Sequence, residues 1–406
     1  MKQYLRIEGQ EQPLLWQSEH QAKLPKQCVC VDDSLTAEKA LNFARNGIVM
    51  LWQGDYHNAK QLLSAMARHI DKKKKKKLSS SIGNGISLDS SSDGYDISET
   101  KCPDSSQHQS HLLKEQFNLY RLAQAQKAQI LSMLLLRVNY VDTHFMIPLR
   151  RSPEIDLAIR QVCSWQEDFV ISLRELLGII GAYEWRKKGV DVAALGKDAK
   201  IYPFYGVFSP IRGEYLALVA QAPLPSQTNI AIEIGCGTGV LAAIVAKRGF
   251  SKVVVTDISK RAIECATYNL QQLGLNHCVE VRQHAFFPPE SADLIICNPP
   301  WLPAKASTSL EAAVYDPDSQ MLKGYLSDLV KHLNPDGEGW LIMSNLAELL
   351  GLRGETQLED WISTAGLRVK AKYDTQAQHK KARDGQDILA EARQQEVTSL
   401  WVLVKA

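Results

Sequence analysis

The sequence contains no apolar run approaching the roughly 18 to 20 residues that a membrane-spanning helix needs. Its polar N-terminus also lacks the hydrophobic centre of a signal peptide, so a cytoplasmic protein with no membrane partner is expected. A surplus of one charge sign is missing as well. The 47 basic and 45 acidic residues leave a net charge of +2, which gives no global attraction to polyanions but permits local patches. Cysteine spacing that would suit a metal is absent. The eight cysteines are scattered among apolar stretches, and Cys28 and Cys30 stand too close for a C-x-x-C knuckle. Neither disulfides nor a metal is expected, and Cys236, Cys265 and Cys297 read as small packing residues. The remainder is ordinary for a globular chain, with 45% hydrophobic and 23% charged residues. A length of 406 residues suffices for two domains, or for one domain with a large extension.

Organisation along the chain follows from where apolar periodicity stops. Asp71 precedes six lysines, Lys72 to Lys77, and a Ser-, Gly- and Asp-rich stretch runs on to about Ser110. So little apolar surface cannot compensate the entropy of ordering, and residues 71–112 are expected to form a disordered Lys/Ser-rich linker. The lysine block reads as a solvated run, with nucleic acid or anionic lipid as the alternative contacts. Before the linker, residues 36–46 and 58–70 have helical periodicity around the apolar run Ile48 to Trp52, which makes residues 1–70 a small α/β unit. After it, helical patterns over 114–138 and 168–187 suggest a mostly helical region at 113–199. An α/β domain is expected over 200–406.

Within that last domain, three signals each stand at the end of a strand. The first strand, Ile230 to Ile234, holds Glu233 and leads into Gly235, Cys236, Gly237, Thr238 and Gly239, with a helical pattern from Val240. Glycines at 235, 237 and 239 allow a sharp turn and close approach by a ligand. A dinucleotide fingerprint would place its third glycine one residue later, so the cofactor is not expected to be a dinucleotide. The second strand, Lys252 to Thr256, ends at Asp257, about 20 residues past the turn, where a carboxylate can accept from both ribose hydroxyls. The strand Ala292 to Cys297 runs directly into Asn298-Pro299-Pro300-Trp301. Taken singly, these are a tight connection, a helix cap and a stiff turn. In this order they describe one crevice beyond the carboxyl edge of an open α/β sheet.

The form E-x-G-x-G-x-G resembles the first motif of class I S-adenosylmethionine-dependent methyltransferases. The resemblance implies a Rossmann-like, seven-stranded methyltransferase sheet whose last strand is antiparallel, with S-adenosyl-L-methionine as cofactor. Asn298-Pro299-Pro300-Trp301 is similar to the N-P-P-[YFW] motif of enzymes that methylate a planar amino or amide nitrogen, on bases or on glutamine. The lone pair of such a nitrogen is delocalised, and acceptors at Asn298 and Pro299 can aim it at the methyl group. Trp301 either stacks on the acceptor plane or closes the core at the strand end. The segment Ile201 to Arg212 resembles the G-V-F-S/A-P entry of the small methyltransferase domain of ribosomal-RNA guanine-N2 and protein-glutamine methyltransferases. It adds Tyr205, Phe208 and Arg212 to the cofactor-side candidates, which also include Ile258 and Phe286. The usual acid after the third strand is replaced by Ala285, leaving adenine to backbone groups or to Phe286. Acids from Glu311 to Asp318 resemble a substrate lip in the glutamine enzymes, or form a plain surface loop. RNA is the leading substrate, with the ribosome or a protein glutamine as alternative. A regulatory member that keeps the fold without turnover is also consistent with Ala285.

Overall fold

Alternation of buried strands with one-sided helices builds two seven-stranded sheets in this chain. The structure is a computed structural model describing residues 3–7, 13–18, 24–82, 105–210, 213–306, 311–376 and 390–406. It divides into two compact units, one of residues 1–109 with 119–180 and the other of 110–118 with 181–406.

The first unit contains β1 (Tyr4–Leu5), β2 (Leu14–Gln17), β3 (Gln27–Val31), α1 (Ala37–Arg45), β4 (Ile48–Trp52) and α2 (Tyr56–Ile82). After α3 (Ser105–Leu131) come β5 (Leu134–Val141), β6 (His144–Met146), α4 (Asp156–Ile159) and β7 (Phe169–Ser172). The strand order is β1-β2-β7-β5-β4-β3, with β6 paired to β5. Helix α1 starts where Thr36 accepts the Lys39 N–H, and it buries Ala40, Leu41 and Ala44. The expectation of a mostly helical region at 113–199 is corrected here. The helical pattern at 114–138 runs over into β5, and that at 168–187 begins with β7, because Leu134 to Leu136 and Phe169 to Ile171 are wholly buried in the sheet. Burial on both faces erases the alternation that marks a strand. The linker and unit boundaries shift too. Helix α2 continues to Ile82 and α3 begins at Ser105, so only residues 83–104 of the expected linker lie outside the described residues.

The second sheet positions the candidate site. After α5 (Leu173–Lys188) and the short pair β8 (Val190–Asp191) and β9 (Lys200–Ile201) come α6 (Glu214–Gln221), β10 (Ile230–Ile234), α7 (Val240–Lys247), β11 (Lys252–Asp257), α8 (Lys260–Gln272) and β12 (Val279–Gln283). Then follow β13 (Ala292–Cys297), α9 (Gln320–His332), β14 (Leu333–Ser344), α10 (Leu346–Leu349), α11 (Gln357–Thr364), β15 (Leu367–Gln376), α12 (Ala390–Gln394) and β16 (Val397–Lys405). The order is β12-β11-β10-β13-β14-β16-β15. Strands β10 to β14 pair in parallel, and β16 runs antiparallel to both its neighbours, as the resemblance implied. One apolar layer, including Leu241, Ile244, Val253 and Ile296, packs under α6 and α7. The other, including Ile232, Ile295, Leu326 and Leu341, packs under α9 and α11. Each such side chain contributes roughly 1.5–3 kcal/mol of burial, which keeps the carboxyl edges of β10, β11 and β13 in fixed register. Among the described residues, no helix is long and apolar enough to cross a membrane.

Candidate functional site

Register brings the three sequence signals together. Ile234 lies opposite Thr256 on one side and Cys297 on the other. The glycine turn, Asp257 and Asn298 therefore leave adjacent parallel strands at the same edge, where open α/β sheets bind ligands.

The turn is fixed by backbone bonds. The N–H groups of Gly235 and Cys236 both donate to the Thr256 carbonyl, at 2.9 and 3.0 Å, and Gly239 donates to the Cys236 carbonyl at 2.7 Å. All three glycines have positive φ. A Cβ on Gly235 would lie 2.6 Å from the Met321 side chain, whereas one on Gly237 would enter open space. The positive φ favours glycine at the first position, where a Cβ would also displace the Met321 tip, and the second leaves room for a ligand over the turn. Cys236 and Thr238 offer backbone here, since their side chains are buried. Glu233 is likewise turned inward: only 2% exposed, it accepts the Ala242 N–H at 2.8 Å. It braces the first turn of α7 instead of lining the crevice, which corrects its expected place among the cofactor contacts. Burial, with Asp257 nearby, pushes its carboxyl up to about 8. Burial also drives the thiols of Cys236 and Cys297 well up and that of Cys265 to about 12, as befits inert packing residues.

Asp257 accepts Gly237 N–H at 3.1 Å on one oxygen and Ser259 N–H at 2.8 Å on the other. Each oxygen keeps a second lone pair for a ribose hydroxyl. Beside it, Ile258 is 73% exposed and Phe286 39% exposed. A half-exposed ring and a bare isoleucine next to a carboxylate form an apolar rim with one polar anchor, which fits a nucleoside. One edge of the Phe286 ring faces Gly324 of α9, where a Cβ would come within 2.8 Å of it. Ala285 and His284 are exposed on the same rim and offer no carboxylate. Tyr205 lies under the Arg261 guanidinium, 5.9 Å from its ring centre, at the start of α8. Phe208 is half-buried, and the neighbouring Ser209 Oγ is buried with no hydrogen-bond partner among the described residues. Arg212 lies outside the described residues.

At Asn298 the structure adds a bond that the sequence did not announce. The Trp301 indole N–H donates to Asn298 Oδ1 at 3.0 Å. Trp301 is half-buried against both apolar layers, so it closes the core and holds Asn298 at once. One lone pair of Oδ1 remains for an incoming N–H. Tyr215, buried at the start of α6, borders the same amide. Its phenol is driven up by burial and by the Glu233 and Glu214 carboxylates, while a hydrogen bond with the Asn298 side chain works the other way. The loop beyond the tetrapeptide runs alongside it, with Asp316 N–H donating to the Leu302 carbonyl at 2.9 Å. Asp316 is buried and accepts the N–H groups of Met321 and Leu322, so it caps α9 instead of standing in an acidic lip. Burial raises its carboxyl despite those donors.

Two supporting residues escaped the sequence reading. Asn269, fully buried in α8, donates to the Thr238 carbonyl at 3.0 Å and accepts the Tyr202 N–H at 2.8 Å, tying the glycine turn to the entry segment. An asparagine on an apolar helix face, four residues after Cys265, was the available signal. Tyr215 carried no pattern of its own.

Over this region the chain is similar to known proteins. Residues 205–349 match the family model described as methyltransferase small domain. A tRNA1(Val) (adenine(37)-N6)-methyltransferase of Cytophaga hutchinsonii is 29% identical over 139 residues, covering 32% of this chain and 58% of that protein. A release factor glutamine methyltransferase of Cereibacter sphaeroides is 30% identical over 122 residues, covering 29% of this chain and 40% of its own length. The chain thus spans about half the length of these curated relatives. A crystal structure of a methyltransferase from Pyrococcus furiosus aligns with 56% of the chain and 98% of its own length at 17% identity and a TM-score of 0.38.

Proposed function

We propose that residues 205–349, which match the methyltransferase small domain, work as a class I, S-adenosylmethionine-dependent methyltransferase domain and that the protein methylates a planar amino or amide nitrogen, with an RNA base as leading substrate. The observation that carries the reading is the register that sets the glycine turn, Asp257 and Asn298 side by side. S-adenosylmethionine supplies the electrophilic methyl group. The residues that would hold it are the backbone of Gly235 to Gly239, the Asp257 carboxylate and the apolar rim of Ile258 and Phe286, with Tyr205 and Phe208 from the entry segment.

The chain's own work falls on the acceptor. Asn298 Oδ1 and the Pro299 carbonyl each accept one N–H of the substrate nitrogen and so aim its lone pair along the transfer direction. As positive charge grows on that nitrogen, both oxygens stabilise it, and they favour the transition state over the ground state. The Trp301 N–H fixes the rotamer of Asn298, and the uncovered part of its half-buried ring offers a face to the base. Pro299 and Pro300 fix φ, which limits how far the carbonyl can swing. The proton left on the methylated nitrogen is acidic and departs late, to water or to a nearby acceptor. The setting is cytoplasmic in this reading.

Protein glutamine is the second reading, favoured by the 30% identity to a release factor glutamine methyltransferase. The test incubates purified protein and radiolabelled S-adenosylmethionine with bulk RNA from a deletion strain or with its ribosomal and release-factor proteins. Label in an N-methylated nucleoside supports the RNA reading, and label in a protein reassigns the substrate to glutamine. Calorimetric cofactor binding with no label in either fraction would leave the regulatory alternative suggested by Ala285.

A further inference from the structure

Helix α2 carries Lys60, Arg68 and the six lysines Lys72 to Lys77 against a single acid, Asp71. Its apolar side is spent: Tyr56, Ala59, Leu62, Leu63 and Met66 are buried in the first unit. The opposite side presents an open cleft lined by His57, Lys60, Gln61, Ser64 and Arg68. With Lys72 these positions recur every three or four residues, so they follow one helical stripe over about 22 Å. No carboxylate lies on the stripe. Asp71 is engaged by Lys127, whose Nζ lies 2.6 Å away, and Asp55, at the foot of the helix, is engaged by Arg151 at 2.7 Å. Among the described residues, Lys60, Arg68 and Lys72 form no ion pair of their own, and Lys60 lies 5.7 Å from the Tyr56 ring centre. The stripe is positive, polar and elongated, on a chain whose overall charge is close to neutral.

We propose that this face of α2 docks the phosphate backbone of duplex RNA, an inference that rests on the RNA reading of the methyltransferase site. The chemistry selects the occupant. Lysine, arginine and short polar donors suit phosphate oxygens, which set position and affinity without reading bases. Among the described residues the cleft's one aromatic is the His57 imidazole, with no Phe, Tyr or Trp face on which successive unstacked bases could pile, so a helical stem fits it better than a single strand. An anionic membrane fits less well, because a helix lying on lipid keeps an apolar face for the acyl boundary, and α2 has already buried that face in its own core. The neutral overall charge concentrates this attraction on one helix, so binding depends on a few residues and falls steeply with salt.

The test uses the full chain and the triple variant Lys60→Gln/Arg68→Gln/Lys72→Gln, in which Arg68 and Lys72 are exposed and Lys60 is half-exposed, none of them among the buried side chains of α2. Fluorescence anisotropy with a labelled 20-base-pair RNA hairpin is measured from 50 to 300 mM KCl, and far-UV circular dichroism and calorimetric S-adenosylmethionine affinity are followed in parallel. The expected result is at least tenfold weaker duplex binding in the variant at 100 mM KCl, a salt slope shallower by roughly one per lost phosphate contact, and unchanged fold and cofactor affinity. Equal binding by both proteins overturns the inference, as does a loss confined to phosphatidylserine vesicles. The substrate reading fails separately. If only proteins accept methyl groups while the variant still loses duplex binding, the docking face stands without it. If the variant methylates RNA with wild-type kcat/KM, the substrate reading stands and the docking face does not.

Discussion

Replacing Trp301 with Phe removes one N–H and keeps an aromatic face, so it separates holding Asn298 from stacking on the substrate. The lost bond spans 3.0 Å between the indole nitrogen and Asn298 Oδ1 in a half-buried setting. A neutral hydrogen bond of that kind contributes about 0.5–1.5 kcal/mol, which corresponds to roughly two- to twelvefold in rate. In the proposed mechanism Asn298 acts on the reacting nitrogen, so the loss should fall on kcat, with KM for the acceptor within about twofold. Trp301→Ala loses the face as well, worth about 1–3 kcal/mol per stacked base, and should fall roughly tenfold to a thousandfold. The sequence alone would rank Phe close to wild type, since any aromatic ring can stack. Steady-state methyl transfer at saturating S-adenosylmethionine measures both variants. On an Asn298→Ala background, Trp301→Phe should cost nothing further, because both changes act through one amide. Wild-type kcat in Trp301→Phe, or full additivity in the double variant, would refute the coupling.

Asp257→Ala should weaken S-adenosylmethionine binding through the lost ribose contacts, and Gly237→Val should do so by filling the open space over the turn at a φ of +50° that valine resists; unchanged calorimetric affinity in both would move the cofactor elsewhere. Asn269→Ala should strip a buried carbonyl and a part-buried N–H of their partners, at about 1–3 kcal/mol for the buried one and less for the other, and its melting temperature should drop by several degrees; a variant as stable as wild type would show that the turn and the entry segment stand without it. The Glu233 carboxyl is raised from 4.5 to about 8 in the folded state, so its contribution is complete below about pH 4.5 and is lost as pH rises through about 8. Glu233→Gln keeps an acceptor for the Ala242 N–H and removes that titration. The melting-temperature difference between variant and wild type should therefore swing in the variant's favour from pH 5 to pH 9, and a pH-independent difference would contradict the assignment.

The candidate site was legible because its signals are local. A glycine turn, an acid and an Asn-Pro-Pro-Trp run each stand in a few consecutive residues, and the parallel order of the strands does the rest. What was hidden depends on contacts distant in sequence. Asn269 meets Thr238 and Tyr202, and Tyr215 meets Asn298, only after the chain has folded. Glu233 read as a cofactor contact and Asp316 as part of an acidic lip or surface loop, yet the backbone N–H groups of α7 and α9 draw both inward. In the first unit, Leu134 to Leu136 follow a helix without a proline or an alternating pattern to mark the change, so the strand was absorbed into the helix. Periodicity alone cannot tell a short buried strand from a buried helix segment.

The most direct test of nitrogen methylation in this crevice is the turnover of Asn298→Ala at saturating S-adenosylmethionine, on whichever RNA or protein accepts the methyl group. Removing one preorganised polar group from such a site should lower kcat by about two orders of magnitude or more, with calorimetric cofactor affinity nearly unchanged. Wild-type turnover in that variant would contradict the account and place the chemistry away from Asn298.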